Sequence, residues 1–164
     1  MGYDSTMEYT KEAHLIGKAG ELRVRSELLL RDIHCGVFDQ DVGADVFLAN
    51  GKLIQVKTSL RPIHDKKSYN WKYSFNLRQA KVRNKGNGLY ERRYMRRNYS
   101  GVVDYFILWC VQDNVFYIIP EDKIGAKISL TISTPDKLRT YKRRGVFKST
   151  SKYEKYKNNW KQLI

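Results

Sequence analysis

At 164 residues the chain has the length of one domain, enough to bury a core without disulfide staples and too little for a multidomain assembly. Lys and Arg number 31 against 17 Asp and Glu, a formal net charge of +14, and 41% of residues are apolar and 13% aromatic. No run approaches the ~18 apolar residues of a membrane span and residues 1–14 lack a signal-peptide pattern, so the expectation is a soluble, intracellular single domain over 1–164.

The elements follow in chain order. Residues 10 to 32 predict a helix, with Ile16, Val24, Leu28 and the Leu29-Leu30 pair at helical period and helix formers dominating despite Gly17 and Gly20. Short β-rich runs come next: a weak strand at Gly36 to Phe38, a better one at Ala44 to Leu48 and a third at Leu53 to Thr58, with Asn50-Gly51 between the last two as a hairpin signal. Leu60 to Asn70 reads as a loop, Trp71 to Phe75 as a strand, and Leu77 to Arg97 as a basic helical or loop region broken by Gly86-Asn87-Gly88. Val102 to Val111 and Val115 to Ile119 are the most strand-like runs, joined by a turn at Gln112-Asp113-Asn114. Pro120 and Pro135 stand at first helical positions, Lys127 to Ile132 reads as an edge strand, and Tyr153, Tyr156, Trp160 and Leu163 recur at helical spacing in a capped tail helix. A helix, a strand meander and then helices make the class α+β or α/β around one mixed sheet flanked by helices.

The positive charge is segregated. Residues 60 to 99 carry 12 Lys/Arg against 2 acidic residues and 137 to 164 carry 10 against 1, whereas the remainder holds 9 basic and 14 acidic residues. An acidic body with two basic arms is the electrostatic footprint of a protein that grips a polyphosphate and releases its counterions. Within the arms, Arg61, Lys66, Lys67, Lys72, Arg83, Lys85, Arg92, Arg93, Arg96, Arg97, Arg143 and Arg144 are the candidate nucleic-acid contacts. The run Arg92 to Arg97 either reads bases in the major groove or holds phosphates alone. The interleaved Trp71, Tyr73 and Phe75 alternate at strand spacing and read as core.

Several chemistries lack their residues. There is no nucleophile elbow, no phosphate-binding P-loop and no complete dinucleotide fingerprint. His14, His34 and His64 have no ligand spacing, and Cys35 and Cys110 read as reduced thiols packed as small hydrophobes. The informative stretch is 17 to 59. Glu21 shares a helix face with Gly17, Val24 and Leu28, Asp45 opens the apolar run Val46-Phe47-Leu48, and Gln55 and Lys57 stand inside Leu53 to Thr58. Burying such groups unpaired is costly. A divalent cation held by oxygen donors, with an ammonium beside it, would give them a shared purpose.

These residues, Gly-Glu21 in a first helix and then Asp45, nine residues, and Gln55-Val56-Lys57, resemble the PD-(D/E)XK nuclease superfamily, and Gln in place of the usual carboxylate is similar to the group I intron homing endonucleases of bacteria. The resemblance implies a restriction-endonuclease-like core and a sequence-specific endonuclease acting on double-stranded DNA. It implies Mg²⁺ or Mn²⁺ held by Asp45, Gln55, the Val56 carbonyl and Glu21, with Asp45, Gln55, Lys57 and Glu21 as the catalytic set. Cutting two strands needs two sites, so at least a homodimer is expected and the resemblance implies a homotetramer, while the missing signal and membrane segments make the expected location cytoplasmic, with the protein nucleoid-associated. A Holliday junction resolvase and a catalytically silent DNA-binding protein are the alternatives.

Hairpin geometry supplies a separate expectation. A two-residue turn at Asn50-Gly51 would send Asp45 and Gln55 to opposite faces, whereas a three-residue loop pairs Asp45 with Lys57 and Phe47 with Gln55 and collects the polar groups on one face.

Overall fold

The computed structural model describes residues 5–38, 43–65, 70–84, 90–96, 99, 101–125, 127, 129–133 and 152–164. The first helix, α1 (Ser5–Leu29), begins five residues earlier than its periodicity predicts. It ends in a paired-turn motif: Asp32 takes a positive φ of 58°, its N–H donates to Leu29 O at 3.0 Å, and the Ile33 N–H donates to Leu28 O at 3.0 Å. That arrangement satisfies carbonyls that a helix end otherwise leaves orphaned, and it brings buried Ile33 back onto buried Leu28.

Five strands make the central sheet: β1 (Cys35–Val37), β2 (Val46–Leu48), β3 (Leu53–Ser59), β8 (Tyr105–Cys110) and β9 (Val115–Pro120), in the order β1-β2-β3-β8-β9. All neighbours are antiparallel except β3 and β8, which run parallel with Gln55 beside Phe106 and Lys57 beside Leu108. The sheet is therefore mixed, as expected. The 45-residue crossover from β3 to β8 carries β4 (Ile63–Asp65), β5 (Asn70–Asn76), β6 (Arg78–Asn84) and β7 (Tyr90–Arg96). After β9 come the single turn α2 (Glu121–Ile124) and β10 (Ser129–Ser133), which joins β5 and β4 in a second sheet of order β10-β5-β4.

Two apolar clusters fill the space on either side of the central sheet. On one face Val24 and Leu28 of α1 pack with Val46, Leu48, Ile54, Val56, Ile107 and Ile118. On the other, Phe106, Leu108, Tyr117 and Ile119 meet Tyr73, Phe75, Leu130 and Ile132 of the three-stranded sheet. Alternation of inward residues along each strand is what lets one sheet serve both clusters. Tyr73 and Phe75 are core residues, 1% exposed each, while Trp71 at the end of the same row is 37% exposed and packs edge-on against His64.

Three expectations are corrected. Within the basic stretch 77 to 97 the expected helix is replaced by strands, because β6 and β7 pair antiparallel as a two-stranded ribbon with Arg78 opposite Arg96 and Lys81 opposite Arg93, while Gly86-Asn87-Gly88 lies outside the described residues. Val82, Tyr90 and Tyr94 are β formers at strand spacing, a signal that the many arginines obscure. Leu60 to Asn70 contains β4, which pairs antiparallel with β5. The tail is not one helix. It forms two 3-10 turns, Glu154–Tyr156 and Trp160–Leu163, separated by an antiparallel bridge from Lys157 to Tyr117 and by Asn158 at a φ of 49°. All four predicted apolar residues are buried, but Tyr153 and Tyr156 enter the cluster on one face of the sheet and Trp160 and Leu163 the cluster on the other. A continuous helix would aim them in one direction, so the break is what serves both faces.

Pro120 closes β9 and precedes α2, one place before the expected first helical position. Pro135 and residues 137 to 151 lie outside the described residues. Among the described residues no helix is long and apolar enough to cross a membrane. Cys35 and Cys110 are free thiols, and burial pushes both upward from the usual thiol range, which suits packed hydrophobes and not nucleophiles.

Candidate active site

The β2–β3 hairpin positions three of the four predicted catalytic residues, Asp45 directly before β2 and Gln55 and Lys57 on β3. Its loop has three residues, Ala49-Asn50-Gly51: the Leu48 N–H donates to Lys52 O at 2.9 Å, the Gly51 N–H donates to Leu48 O at 2.9 Å, and Gly51 takes a φ of 84°. This is the loop in which a tight turn is followed by one left-handed residue, where glycine is favoured. The loop is irregular by one residue, as expected, but lies one position earlier. Val46 stands opposite Ile54 and Phe47 opposite Leu53, in place of the predicted pairing of Phe47 with Gln55.

The shift brings Asp45 to Gln55 instead of Lys57. The Asp45 N–H donates to Ile54 O at 2.8 Å, and its Oδ2 accepts the Val56 N–H at 2.7 Å and the Gln55 Nε2 donor. Gln55 is 4% exposed and stands in β3 between buried Ile54 and buried Val56. Because its NH₂ end is spent on Asp45, with a long 3.4 Å contact to Val56 O, its amide oxygen is the acceptor end left for another partner.

Glu21 reaches the same region from α1. Gly20 is buried, and a methyl group there would overlap Thr58 Oγ1 and come within 3.1 Å of Thr58 Cβ. The missing side chain is what allows α1 to lie this close to β3, and Glu21, one residue on, is half-buried in consequence. Lys18 Nζ donates to Glu21 Oε2 at 2.7 Å.

The electrostatics tie the four together. Burial raises the Asp45 carboxyl above its ordinary value; the Val56 N–H bond and the Lys57 ammonium oppose the rise, Glu21 adds to it and Lys18 opposes it. Asp45 thus lies within electrostatic reach of Glu21, Lys57 and Lys18. Two carboxylates in a partly dry site repel, and the protein holds them with two lysines around them.

Among the described residues no group of three or more His, Cys, Asp or Glu side chains comes together, and the donors that Asp45 and Glu21 could share with a cation are the Gln55 amide and the Val56 carbonyl. All of these are oxygens. That chemistry fits a hard cation which keeps several of its waters, such as Mg²⁺, and does not fit zinc or another thiophilic metal.

Six of the twelve candidate nucleic-acid residues are among the described residues. Arg61 is exposed just past β3 and Lys72 is half-buried on β5, opposite Ile63 and Ser133. Arg83 lies on β6 and Arg92, Arg93 and Arg96 on β7. Lys66, Lys67, Lys85, Arg97, Arg143 and Arg144 lie outside the described residues.

Sequence reasoning passed over Lys18, whose spacing of three from Glu21 is visible in the chain, and Asp104, whose Oδ2 accepts the Leu53 N–H at 2.7 Å and so fixes the start of β3 against β8. It also passed over Glu27, 8% exposed and ion-paired to Arg23 and Arg31 one helical turn either side. The Arg-x₃-Glu-x₃-Arg spacing was the signal. Arg31 lies 4.6 Å from the Trp160 ring centroid, so this network joins α1 to the tail and has no part in the Asp45 cluster.

No protein-family model matches the sequence. No curated protein matches it either. Among solved structures, the bacterial homing endonuclease I-Ssp6803I aligns with a TM-score of 0.62 over 92% of this chain and 91% of its own, at 19% identity. The chain shares the fold of a bacterial homing endonuclease.

Proposed function

We propose that this protein is a metal-dependent, sequence-specific DNA endonuclease of the PD-(D/E)XK type, acting on duplex DNA as a homo-oligomer in the manner of a homing endonuclease. The observation that carries the reading is the meeting of Asp45 and Gln55 at the mouth of the β2–β3 hairpin, with Glu21 and Lys57 in electrostatic reach. The shared fold supports it.

Asp45, the Gln55 amide oxygen, the Val56 carbonyl and Glu21 are the residues that would hold Mg²⁺ or Mn²⁺. When bound, such an ion polarises a phosphoryl oxygen and lowers the pKa of a water. The chain's own residues supply the rest. Asp45 is locked in place by the Val56 N–H, so it need not reorganise during the reaction. Gln55 keeps one fewer negative charge in the site than a carboxylate would, which eases the approach of a phosphodiester. Lys57 offsets the charge that builds on the phosphorus-bound oxygens and orients the attacking water.

Grip on DNA falls to the basic arms. The β6–β7 ribbon has the dimensions of an element that the major groove admits, and it sets like charges opposite one another at Lys81–Arg93 and Arg78–Arg96.

The test is cleavage of a randomised duplex library by wild-type, Asp45→Asn and Lys57→Met proteins with Mg²⁺. A long unique site cut by the wild type alone is the expected result. A short palindrome would indicate a restriction role, selective cutting of four-way junctions a resolvase, and equal cutting by all three proteins a different site.

A further inference from the structure

Residues 159 to 164 end the described chain against the back of the hairpin that carries Asp45. A 3-10 turn leaves its last carbonyls without partners from within the turn. Here the last three, from Gln162 onward, have partners from elsewhere. The Gln162 carbonyl accepts Lys52 Nζ at 3.2 Å and Tyr105 Oη at 3.1 Å, the Leu163 carbonyl accepts Asn50 Nδ2 at 2.8 Å, and the Ile164 carbonyl accepts Lys52 Nζ at 3.5 Å. Lys52 also sits 5.8 Å from the centroid of the Tyr105 ring. From the other side, Gln162 Nε2 donates to Ile118 O at 3.1 Å, so the turn is anchored to β9 as well as to the hairpin.

Beneath these polar bonds, Leu163 is fully buried in the cluster that contains Val46, Leu48 and Ile54. The segment therefore bridges the loop of the hairpin, the first residue of β8 and the middle of β9. Asn50 and Lys52 lie in or beside the loop between Asp45 and Gln55, and the loop's length and register are what place that pair together. A loop free to slip by one residue would send alternate side chains to the other face.

We propose that Asn50 and Lys52, clasped to the carbonyls of residues 162–164, are positioning residues that fix the register of the β2–β3 hairpin and through it the Asp45–Gln55 pair. The proposal rests on the nuclease reading for its effect on activity, but not for the clasp itself. Neither residue touches the Asp45 cluster. Their influence passes along two strands, and residues that orient a metal's ligands from behind typically change affinity or rate by about 10- to 100-fold.

The experiment compares the full chain with Asn50→Ala/Lys52→Met and with Lys52→Arg, which keeps a donor at the same place. Amide hydrogen exchange gives a readout independent of activity. In the double variant the Val56 and Asp45 amides are expected to exchange about tenfold faster, with those of Ile107 and Ile118 unchanged, because local opening of the hairpin requires no global unfolding. In single-turnover cleavage the rate is expected to fall about tenfold and the Mg²⁺ midpoint to rise, with DNA affinity held within about twofold and Lys52→Arg close to wild type. Unchanged exchange at Val56 and Asp45 would overturn the clasp. Faster exchange with an unchanged rate and midpoint would overturn its role in positioning. A wild-type protein that never cuts DNA would sink the nuclease reading while the exchange comparison still decides the clasp.

Discussion

The Oδ2 atom of Asp45 accepts the main-chain N–H of Val56 at 2.7 Å, so a carboxylate at the start of one strand completes the hydrogen bonding of the next. The same oxygen takes the Gln55 amide. Asp45 is thus both a ladder element and a desolvated acid of the candidate site, and its substitution bears on folding and on chemistry at once.

Replacing Asp45 by Asn is expected to abolish cleavage, by at least about a thousandfold, since several kcal/mol of charge stabilisation are lost with the ligand. The same change should stabilise the metal-free protein by about 1 kcal/mol, as relief of strained functional sites commonly does. Its folded carboxyl lies above the ordinary 3.8, so the folded state holds the proton more tightly than the unfolded state. Wild-type stability therefore falls as pH rises from near that ordinary value through the raised one, and the advantage of the Asn variant grows over the same interval. Urea midpoints of both proteins between about pH 4 and pH 7 measure it; a constant difference would refute the assignment.

Saturating Mg²⁺ is expected to raise the melting temperature of the wild type and leave Asp45→Asn unmoved. An ion present at about 100 times its dissociation constant adds about 2.7 kcal/mol to the folded state. Because ligands must be deprotonated to bind, the shift should shrink as pH falls toward the raised Asp45 value. Scanning fluorimetry with and without a chelator reads it directly.

Lys57→Met is expected to slow single-turnover cleavage about 100-fold, the size of effect seen when one group that offsets transition-state charge is removed. The metal midpoint should move little and in the direction of tighter binding, because a cation beside the site has been taken away. A large loss of DNA affinity in this variant would place Lys57 among phosphate contacts and not in the site.

Gly20→Ala is expected to destabilise the fold by about 1–3 kcal/mol through overpacking against Thr58. Since the helix must retreat from β3, Glu21 retreats with it. A Mg²⁺ midpoint raised beyond what loss of folded protein explains is the sign of that coupling, and equal midpoints would mean that Glu21 acts at no stage of metal binding.

Substituting Arg92, Arg93 and Arg96 together by Ala should lower DNA affinity at low salt and flatten the dependence of log affinity on log salt by about 0.9 for each phosphate no longer neutralised. A changed target preference with an unchanged slope would show that these residues read bases.

Much of the fold was legible because strands and helix obey separate periods. Val24 and Leu28, Val46 and Leu48, and Ile54 and Val56 all went inward as their spacing required. The site residues were legible as polar interruptions of apolar runs, with Asp45 and Gln55 standing where a merely soluble surface would not put them. The register escaped because Asn50-Gly51 marks a turn without saying which residues flank it, and Gly51, with its left-handed φ, is the last of the three loop residues and not the middle one. The ribbon at β6–β7 escaped because arginine has no marked strand preference and masked the alternation of Val82, Tyr90 and Tyr94. The tail misled for a physical reason: spacings of three and four read as a helix whether the residues share one face or are divided between two.

That divided tail has a consequence for how copies of the chain can meet. β9 is the last strand of the central sheet, and an exposed last strand offers unpaired main-chain groups to any other β segment. Here the Asn158 N–H donates to Phe116 O at 2.7 Å, Asn158 Oδ1 accepts the Phe116 N–H at 3.0 Å, and Lys157 bridges to Tyr117. The chain has used its own backbone to seal that stretch of the border, so a partner subunit cannot continue the sheet there. Strand addition along the stretch of β9 around Phe116 and Tyr117 is thereby blocked, whereas β1 at the opposite border of the same sheet is not covered by this tail.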